Sequence, residues 1–369
     1  MTPSVGGLQN GYKSRLGRLQ EVMTREGVDV LLLSVGPDLP YLIGYEAMAS
    51  ERLTMLIVHS DADPQLVIPE LEAPRIEAEY LDVLSWVELD DPIRMVADAC
   101  KGAQVAGLGD HTWSVFMMRL QDHLDGVKWQ PASTYTGSLR MIKDEHEVEA
   151  LRAAAHGVDR VLARVPGAVR FGGRTELDVA RDLKRMAEEE GHDDADFAIV
   201  ASGPNGASPH HDPGRRVIQG GETVVCDFGG RVDGYHSDVT RTFVVGEPTS
   251  EMAEVHSVVL EANRAGRAAV RPGVACQQID RAARQVITGA GYGDYFIHRT
   301  GHGIGLEVHE HPYMVEGNEQ VLQPGMAFSI EPGIYLPRRF GVRIEDIAVC
   351  DPSGIDELNR APRELVSVD

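Results

Sequence analysis

The chain of 369 residues carries 35 Lys plus Arg against 57 Asp plus Glu, and its formal charge of −22 excludes nucleic acid and anionic membrane surfaces as natural partners. Its 43% hydrophobic content suits folded cores rather than a disordered chain, and no run of about 18 apolar residues is present to span a bilayer. The four cysteines, Cys100, Cys226, Cys276 and Cys350, are widely spaced with no CxxC pair, so neither a disulfide framework nor a zinc knuckle is expected.

The first thirty residues hold charges at Lys13, Arg15, Arg18, Glu21, Arg25 and Glu26 and lack the apolar core of a signal peptide, which predicts a cytoplasmic protein. Tyr12 to Glu26 has helical spacing. GVDVLLLS, DLPYLIGY and RLTMLIVH then read as strands of a small α/β unit, with a further strand in PQLVI at 64–68. Residues 70–135 mix helix-like and strand-like pieces, and WQPASTY reads as a connection. A long amphipathic pattern follows in LRMIKDEHEVEALRAAAHGVDRVLA, with Asp144 at an N-cap position. This predicts a boundary near residue 138, with an N-terminal α/β domain at 1–137 and a C-terminal domain at 138–369. The second domain should contain a helix opening at Arg174-Thr175-Glu176, a strand in FAIVAS, and a hairpin in ETVVCDFGGRVDGYHSDVTRTFV. Helices around 250–270 and 275–290 and glycine-rich, strand-like segments should follow.

That hairpin carries Asp227 and Asp238 inside its arms, although Asp233-Gly234 already supplies the turn. With the turn centred near Val232 and Asp233, antiparallel pairing sets the two acids roughly opposite each other. SIEPGIYLPRRFGVRIEDIAV repeats the arrangement, Glu331 and Glu345 flanking a turn centred at Arg338. Between them lies HRTGHGIGLEVHEHP, where glycines around His302 let the backbone approach a ligand closely or adopt positive φ. Taken singly, each of these residues reads as a strand end or a loop. Four carboxylates converging in a sheet core cannot all ionise without cations, because burying one unpaired carboxylate has an idealised cost of order 20 kcal/mol. Oxygen-rich ligation with one imidazole and no thiolate favours Mn²⁺, Co²⁺ or Fe²⁺, and four acids suit two ions. HEVEA at 146–150 has Ala150 where a second zinc-binding His would stand, GHGIG lacks the flanking strand and helix of a dinucleotide site, and no GxSxG elbow or phosphate loop occurs.

Through RMIKDEHEVEALRAA, DFGGRVDGYHSDVTRTF, HRTGHGIGLEVHE, LQPGMAFSIEPGIY and GVRIED, the chain resembles the pita-bread metallopeptidases, a group that includes prolidase and Xaa-Pro aminopeptidase. The resemblance implies an α/β (α+β) fold, with a small creatinase-like N-terminal α/β domain before a pita-bread catalytic domain. It further implies a homodimer whose N-terminal domains help close the active sites. The family's ordered ligands fall on Asp227, Asp238, His302, Glu331 and Glu345, and its supporting residues on His210, His298, His309, Tyr335 and Arg343. Two divalent ions are implied, Mn²⁺ or Co²⁺ first and Zn²⁺ or Fe²⁺ next, with a bridging hydroxide attacking the scissile carbonyl. Glu331 would double as ligand and proton shuttle, and the histidines would donate to the oxyanion or the imide nitrogen. The implied substrates are small peptides with proline at the second position.

One departure stands out. Where archaeal prolidases that follow the HEWPR pattern have an arginine suited to a dipeptide's carboxylate, this chain reads HEHPY and has Tyr313; Arg338 or Arg339 is the expected substitute. Dipeptidase and aminopeptidase therefore both stay open. A lyase or amide hydrolase acting on a small solute through the same metal scaffold is the alternative enzyme. An inert binding module is disfavoured because all five ligands are present.

Overall fold

The computed structural model describes residues 5–78 and 80–369, which divide into two compact units after Arg140. In the first, α1 (Val5–Glu26) leads into β1 (Val30–Leu33), α2 (Asp38–Ile43), β2 (Met55–His59), β3 (Gln65–Pro69), β4 (Asp82–Trp86), α3 (Pro92–Ala99), β5 (Val105–Leu108), α4 (Ser114–His123), β6 (Lys128–Pro131) and α5 (Ser133–Arg140). The six strands form one sheet in the order β4-β3-β2-β1-β5-β6. β1 is fully buried along its length, as its unbroken VLLL run requires of a strand covered on both faces.

Two expectations fail in this unit. DLPYLIGY is a helix, not a strand: Leu39, Leu42 and Ile43 follow helical spacing and are buried, and Gly44 at φ 68 stops the chain in the left-handed conformation. Pro40 is tolerated because it lies in the first turn, where its missing N–H has no helical partner. WQPASTY is not a plain connection either, since it supplies β6 and opens α5, whose buried Tyr135 and Leu139 face inward one helical turn apart.

The second unit begins with α6 (Glu145–Ala168) and α7 (Glu176–Glu189), each entered through a reciprocal cap: Asp144 with Glu147, and Thr175 with Asp178. Then come β7 (Asp194–Ser202), β8 (Thr223–Val232), β9 (Tyr235–His236), β10 (Val239–Val245), α8 (Ser250–Ala269), α9 (Cys276–Gly289), β11 (Gly301–Gly303), β12 (Glu310–Met314), β13 (Ala327–Ile330), β14 (Gly333–Leu336), β15 (Phe340–Arg343), β16 (Asp346–Asp351), β17 (Gly354–Glu357) and β18 (Val366–Val368). One sheet runs β18-β10-β8-β7 with β9 on β8, another β12-β11-β13-β16-β17, and β14 pairs with β15.

Each sheet has its own helical cover. α6 and α7 pack Val161, Val165, Leu183 and Met186 onto Val224, Cys226 and Phe228 of β8. α9 packs Ile279 onto Phe328 and Ile330 of β13, while α8 and α9 together cover Ile334 and Val342 of the β14–β15 ribbon. Because side chains alternate along a strand, Asp227 projects from the face of β8 opposite its core residues. All four cysteines are buried and free, and among the described residues no helix is long and apolar enough to cross a membrane.

Candidate metal centre

The β8–β10 ladder pairs Val239 with Phe228 and Thr240 with Asp227, and the β8–β9 pairs continue the same register. Asp238 therefore lies across from Gly229, two residues along from Asp227 and on the same face. The rough opposition expected is thus a diagonal one, offset by two residues because the turn is centred between Asp233 (φ 51) and Gly234 (φ 80), the two positive-φ positions of a two-residue hairpin, and not between Val232 and Asp233. In the second acid pair, Ile330 pairs with Asp346 and Gly333 with Arg343, and the shared register sets Glu331 across from Glu345. The two systems meet where Thr240 bridges Glu345: the Glu345 N–H donates to the Thr240 carbonyl at 3.1 Å, and the Thr240 hydroxyl donates to Glu345 Oε2 at 2.7 Å.

His302 sits in β11 between two glycines whose need is proximity rather than torsion. A Cβ at Gly301 would stand 1.9 Å from the Ser329 carbonyl oxygen, and one at Gly303 would stand 2.3 Å from that of His311. His302 Nδ1 lies 3.1 Å from the Gly303 carbonyl, which can only accept, so Nδ1 carries the proton and Nε2 is left as an electron-pair donor. That Nε2 is 3.4 Å from Glu331 Oε1, 3.6 Å from Asp238 Oδ2 and 3.9 Å from Glu345 Oε1.

Donor atoms of Asp227, Asp238 and Glu345 lie within 4.8 Å of one another, as do those of His302, Glu331 and Glu345, and of Asp238, His302 and His309. Asp227 Oδ1, Asp238 Oδ1 and Glu345 Oε1 are buried without a hydrogen-bond partner. Native proteins rarely leave such atoms unsatisfied, and divalent cations are the partners that carboxylate oxygens and a neutral imidazole have in common. Without cations, burial and mutual repulsion hold Asp238 and Glu345 well above the usual carboxylate range. Burial also lifts Glu331 to about 7, and it pushes His302 well below its ordinary value, with His309 adding to the shift.

Behind the acids runs an ordered line of donors. Arg343 donates to Asp227 Oδ2 at 2.5 Å, to the Thr240 hydroxyl at 3.0 Å, to the Tyr335 hydroxyl at 2.9 Å and to the Pro209 carbonyl at 3.3 Å. His298 Nδ1 lies 2.7 Å from the Arg299 carbonyl and so donates to it, leaving Nε2 to accept from the Tyr335 hydroxyl at 2.8 Å. Burial keeps His298 neutral, its pKa lowered to about 3. Both its ring nitrogens are thus committed, and it presents no N–H to a substrate in this arrangement.

A profile of metallopeptidase family M24 matches residues 149–352, and one of the creatinase/prolidase N-terminal domain matches residues 15–142. The chain belongs to metallopeptidase family M24. It is 46% identical over 364 residues to a probable dipeptidase PepE of Mycobacterium tuberculosis, covering 97% of this chain and 96% of that protein. The crystal structure of dipeptidase PepE from Mycobacterium ulcerans superposes with a TM-score of 0.92 at 44% identity, covering 98% of each chain. That of a recombinant prolidase from Thermococcus sibiricus gives 0.93 at 37% identity, covering 97% of this chain and 99% of the other. The protein is accordingly an M24 metallopeptidase with a creatinase-like N-terminal domain and a pita-bread catalytic domain. Membership implies divalent metal ions, and the orphaned oxygens and the free His302 Nε2 fit them.

The M24 unit gathers Asp227, Asp238, His302, Glu331, Glu345, His210, His298, His309 and Arg343 around one cavity of about 470 Å³. Tyr335 is not in the cavity wall; it is buried, standing between His298 and Arg343. Arg338 and Arg339 are also elsewhere, exposed at the tip of the β14–β15 hairpin, where Arg339 pairs with Glu251. Sequence reasoning missed five wall residues: Phe197, Ile199, Pro209, Arg299 and Val308. Phe197 and Ile199 alternate in FAIVAS with the core residues Ala198 and Val200, so a period-2 reading could have sent them to the site face.

Proposed function

We propose that the protein is an exopeptidase dependent on two divalent ions, Mn²⁺ or Co²⁺ foremost, that hydrolyses the bond between an N-terminal residue and proline. The observation that carries this reading is one cavity in which four carboxylates and His302 Nε2 converge beside an apolar wall of Phe197, Ile199, Pro209 and Val308. Similarity to a solved prolidase over nearly the whole chain supports it. Asp227, Asp238, His302, Glu331 and Glu345 would hold the ions, which when bound supply Lewis-acid activation of water and of the scissile carbonyl.

The chain's own groups do the rest. Glu331 has the most accessible side chain of the five, at 15%, and it takes the water's proton at a carboxylate oxygen and returns it to the proline nitrogen as that nitrogen leaves. This return matters because an imide nitrogen has no N–H and departs poorly unprotonated. His210 and His309, both on the exposed side of the cavity, supply N–H groups to the carbonyl oxygen as negative charge develops there. Arg343 and Tyr335 fix the Asp227 carboxylate and His298 without touching substrate. The apolar wall takes the pyrrolidine ring. A homodimer in which the N-terminal domains, residues 1–137, help close the sites belongs to the same proposal.

Metal-stripped protein should regain hydrolysis of a Xaa-Pro dipeptide, a Xaa-Pro-Xaa tripeptide or both when Mn²⁺, Co²⁺ or Zn²⁺ is restored. Cleavage of neither, with metal bound, would refute this reading and favour a non-peptidase reaction on the same scaffold.

A further inference from the structure

The stretch SGPNGASPHH ends in two adjacent histidines that serve different neighbours. His210 lines the catalytic cavity beside Pro209, while the His211 ring donates from Nε2 to Glu176 Oε2 at 2.9 Å. Glu176 is fully buried outside the cavity wall, and both its oxygens are filled from one loop. Oε1 accepts from the Ser202 N–H and hydroxyl, each at 2.8 Å, and from Asn205 Nδ2 at 3.0 Å. Oε2 accepts from His211, from the Gly214 N–H at 3.3 Å and from Asn205 Nδ2 at 3.1 Å. Resting on the peptidase reading above, we infer that Glu176 and His211 are positioning residues, which hold the loop over 203–216 so that His210 meets the scissile carbonyl oxygen as its charge develops.

The His210 ring makes no hydrogen bond among the described residues, so its place depends on the backbone that carries it. That backbone has little regular structure beyond the short 3-10 turn Gly203–Ala207, and a segment without a ladder has many conformations open to it. Glu176 removes that freedom from both sides. Ser202 and Asn205 precede Pro209-His210 in the chain, His211 and Gly214 follow, and one carboxylate binds all four. Hydrogen bonds to a buried, ionised acceptor are the strong kind. The start of α7 reinforces the hold, because its first N–H groups have no partner within the helix. Those of Glu176 and Leu177 donate to the Arg216 and Gly214 carbonyls at 3.1 and 3.0 Å. At the site end, the Pro209 carbonyl accepts from Arg343, the guanidinium that also holds Asp227. His210 is thus set between a fixed point beside the acids and another on α7. A donor misplaced by about 1 Å loses on the order of 100-fold in rate, which gives this remote carboxylate its leverage.

The test is kcat, KM and bound Mn²⁺ of the metal-loaded full chain, on whichever of a Xaa-Pro dipeptide and a Xaa-Pro-Xaa tripeptide wild type cleaves faster. The variants are Glu176→Gln, His211→Ala, His211→Gln and His210→Ala, with His211→Ala repeated in the His210→Ala background. A donor aimed at charge that develops only in the transition state acts on kcat. Glu176→Gln and His211→Ala therefore lower kcat about 10- to 100-fold, no further than His210→Ala does, with KM within about threefold of wild type and metal content unchanged. His211→Gln, whose amide nitrogen can donate in place of Nε2, recovers part of the rate. With His210 already gone there is nothing left to misplace, so His211→Ala then lowers kcat by no more than about twofold. Equal losses in the two backgrounds, a loss explained by missing metal, or a His210→Ala enzyme as active as wild type overturns the positioning role and leaves the peptidase reading standing. Wild type cleaving neither peptide overturns that reading and the positioning role with it. Should Glu176→Gln melt below the assay temperature, the His211 variants decide, since that side chain is 22% exposed and its removal leaves the other bonds to Glu176 in place.

Discussion

Stripping the divalent ions should make the catalytic unit lose stability as the pH rises from about 4.5 to about 7. Burial, opposed by Arg343 and reinforced by Asp227, raises the Glu331 carboxyl from 4.5 to about 7. An acid whose folded pKa lies above its unfolded one binds more protons when folded, so stability is fully present below the unfolded pKa and drains away up to the folded one. At about 1.36 kcal/mol per unit, Glu331 alone accounts for about 3 kcal/mol, and the raised Asp238 and Glu345 act in the same direction. For a unit of this size that is a fall in melting temperature of about 6–12 °C. Calorimetry in the presence of chelator, at half-unit steps from pH 4.5 to 8, measures it. Glu331→Gln should flatten the slope by about the Glu331 share, which separates it from the general self-repulsion of an acidic chain. Mn²⁺ should raise the melting temperature most at neutral pH, because cations favour the ionised acids. A chelated wild type with flat or rising stability over this range, or a Glu331→Gln slope equal to wild type, would refute the crowded-carboxylate argument.

Asp238→Asn should abolish turnover while the fold persists, and metal titration should show a reduced complement; activity with full metal loading would contradict the ligand role. Gly301→Ala forces a Cβ against the Ser329 carbonyl at 1.9 Å, where only backbone can yield, and should cost about 1–3 kcal/mol in denaturant unfolding. Glu176 is buried, and burial raises its pKa, but hydrogen bonds from the Ser202 N–H, His211, Asn205 and the Ser202 hydroxyl outweigh this and lower it. Its contribution is present above the ordinary carboxylate range and lost as the pH falls through it, and Glu176→Gln, which turns a donor toward donors, should cost about 2–4 kcal/mol at pH 7 by thermal melting. Arg339→Ala breaks an exposed ion pair with Glu251 and a distant contact over the Phe340 ring, and should change stability by under about 1 kcal/mol and leave dipeptide hydrolysis intact; a large loss of dipeptide activity would return Arg339 to the site.

The acids were legible because each violates the pattern around it. A carboxylate on the site face of an otherwise apolar strand costs too much to be incidental, and repeating that anomaly in two hairpins points to one shared solution. The helix entries at Asp144 and Thr175 were equally readable from side-chain chemistry local to four residues. Register was half read: the Glu331–Glu345 pairing follows from its turn, while the Asp227–Asp238 offset follows from taking Asp233-Gly234 as a two-residue loop, whose centre lies beyond the Val232–Asp233 midpoint. DLPYLIGY misled because a short apolar run satisfies strand and helix alike, and its outcome rests on tertiary burial of one side. Arg299 escaped notice because its place in the cavity wall, over the Tyr313 ring, appears only once β11 and β12 are paired.

The two ladders also bear on how this sequence can change length. Hairpin tips on a protein surface normally absorb insertions and deletions with little consequence. Here a single residue gained or lost between Val232 and Tyr235, if taken up by the ladder, would rotate Asp238 and Thr240 into the α6–α7 core and turn Val239 toward the carboxylate cluster. The same arithmetic applies from Pro337 to Arg339 for Glu345. Two exposed turns outside the acid cluster are therefore held to a fixed chain length by the side chains they place within it.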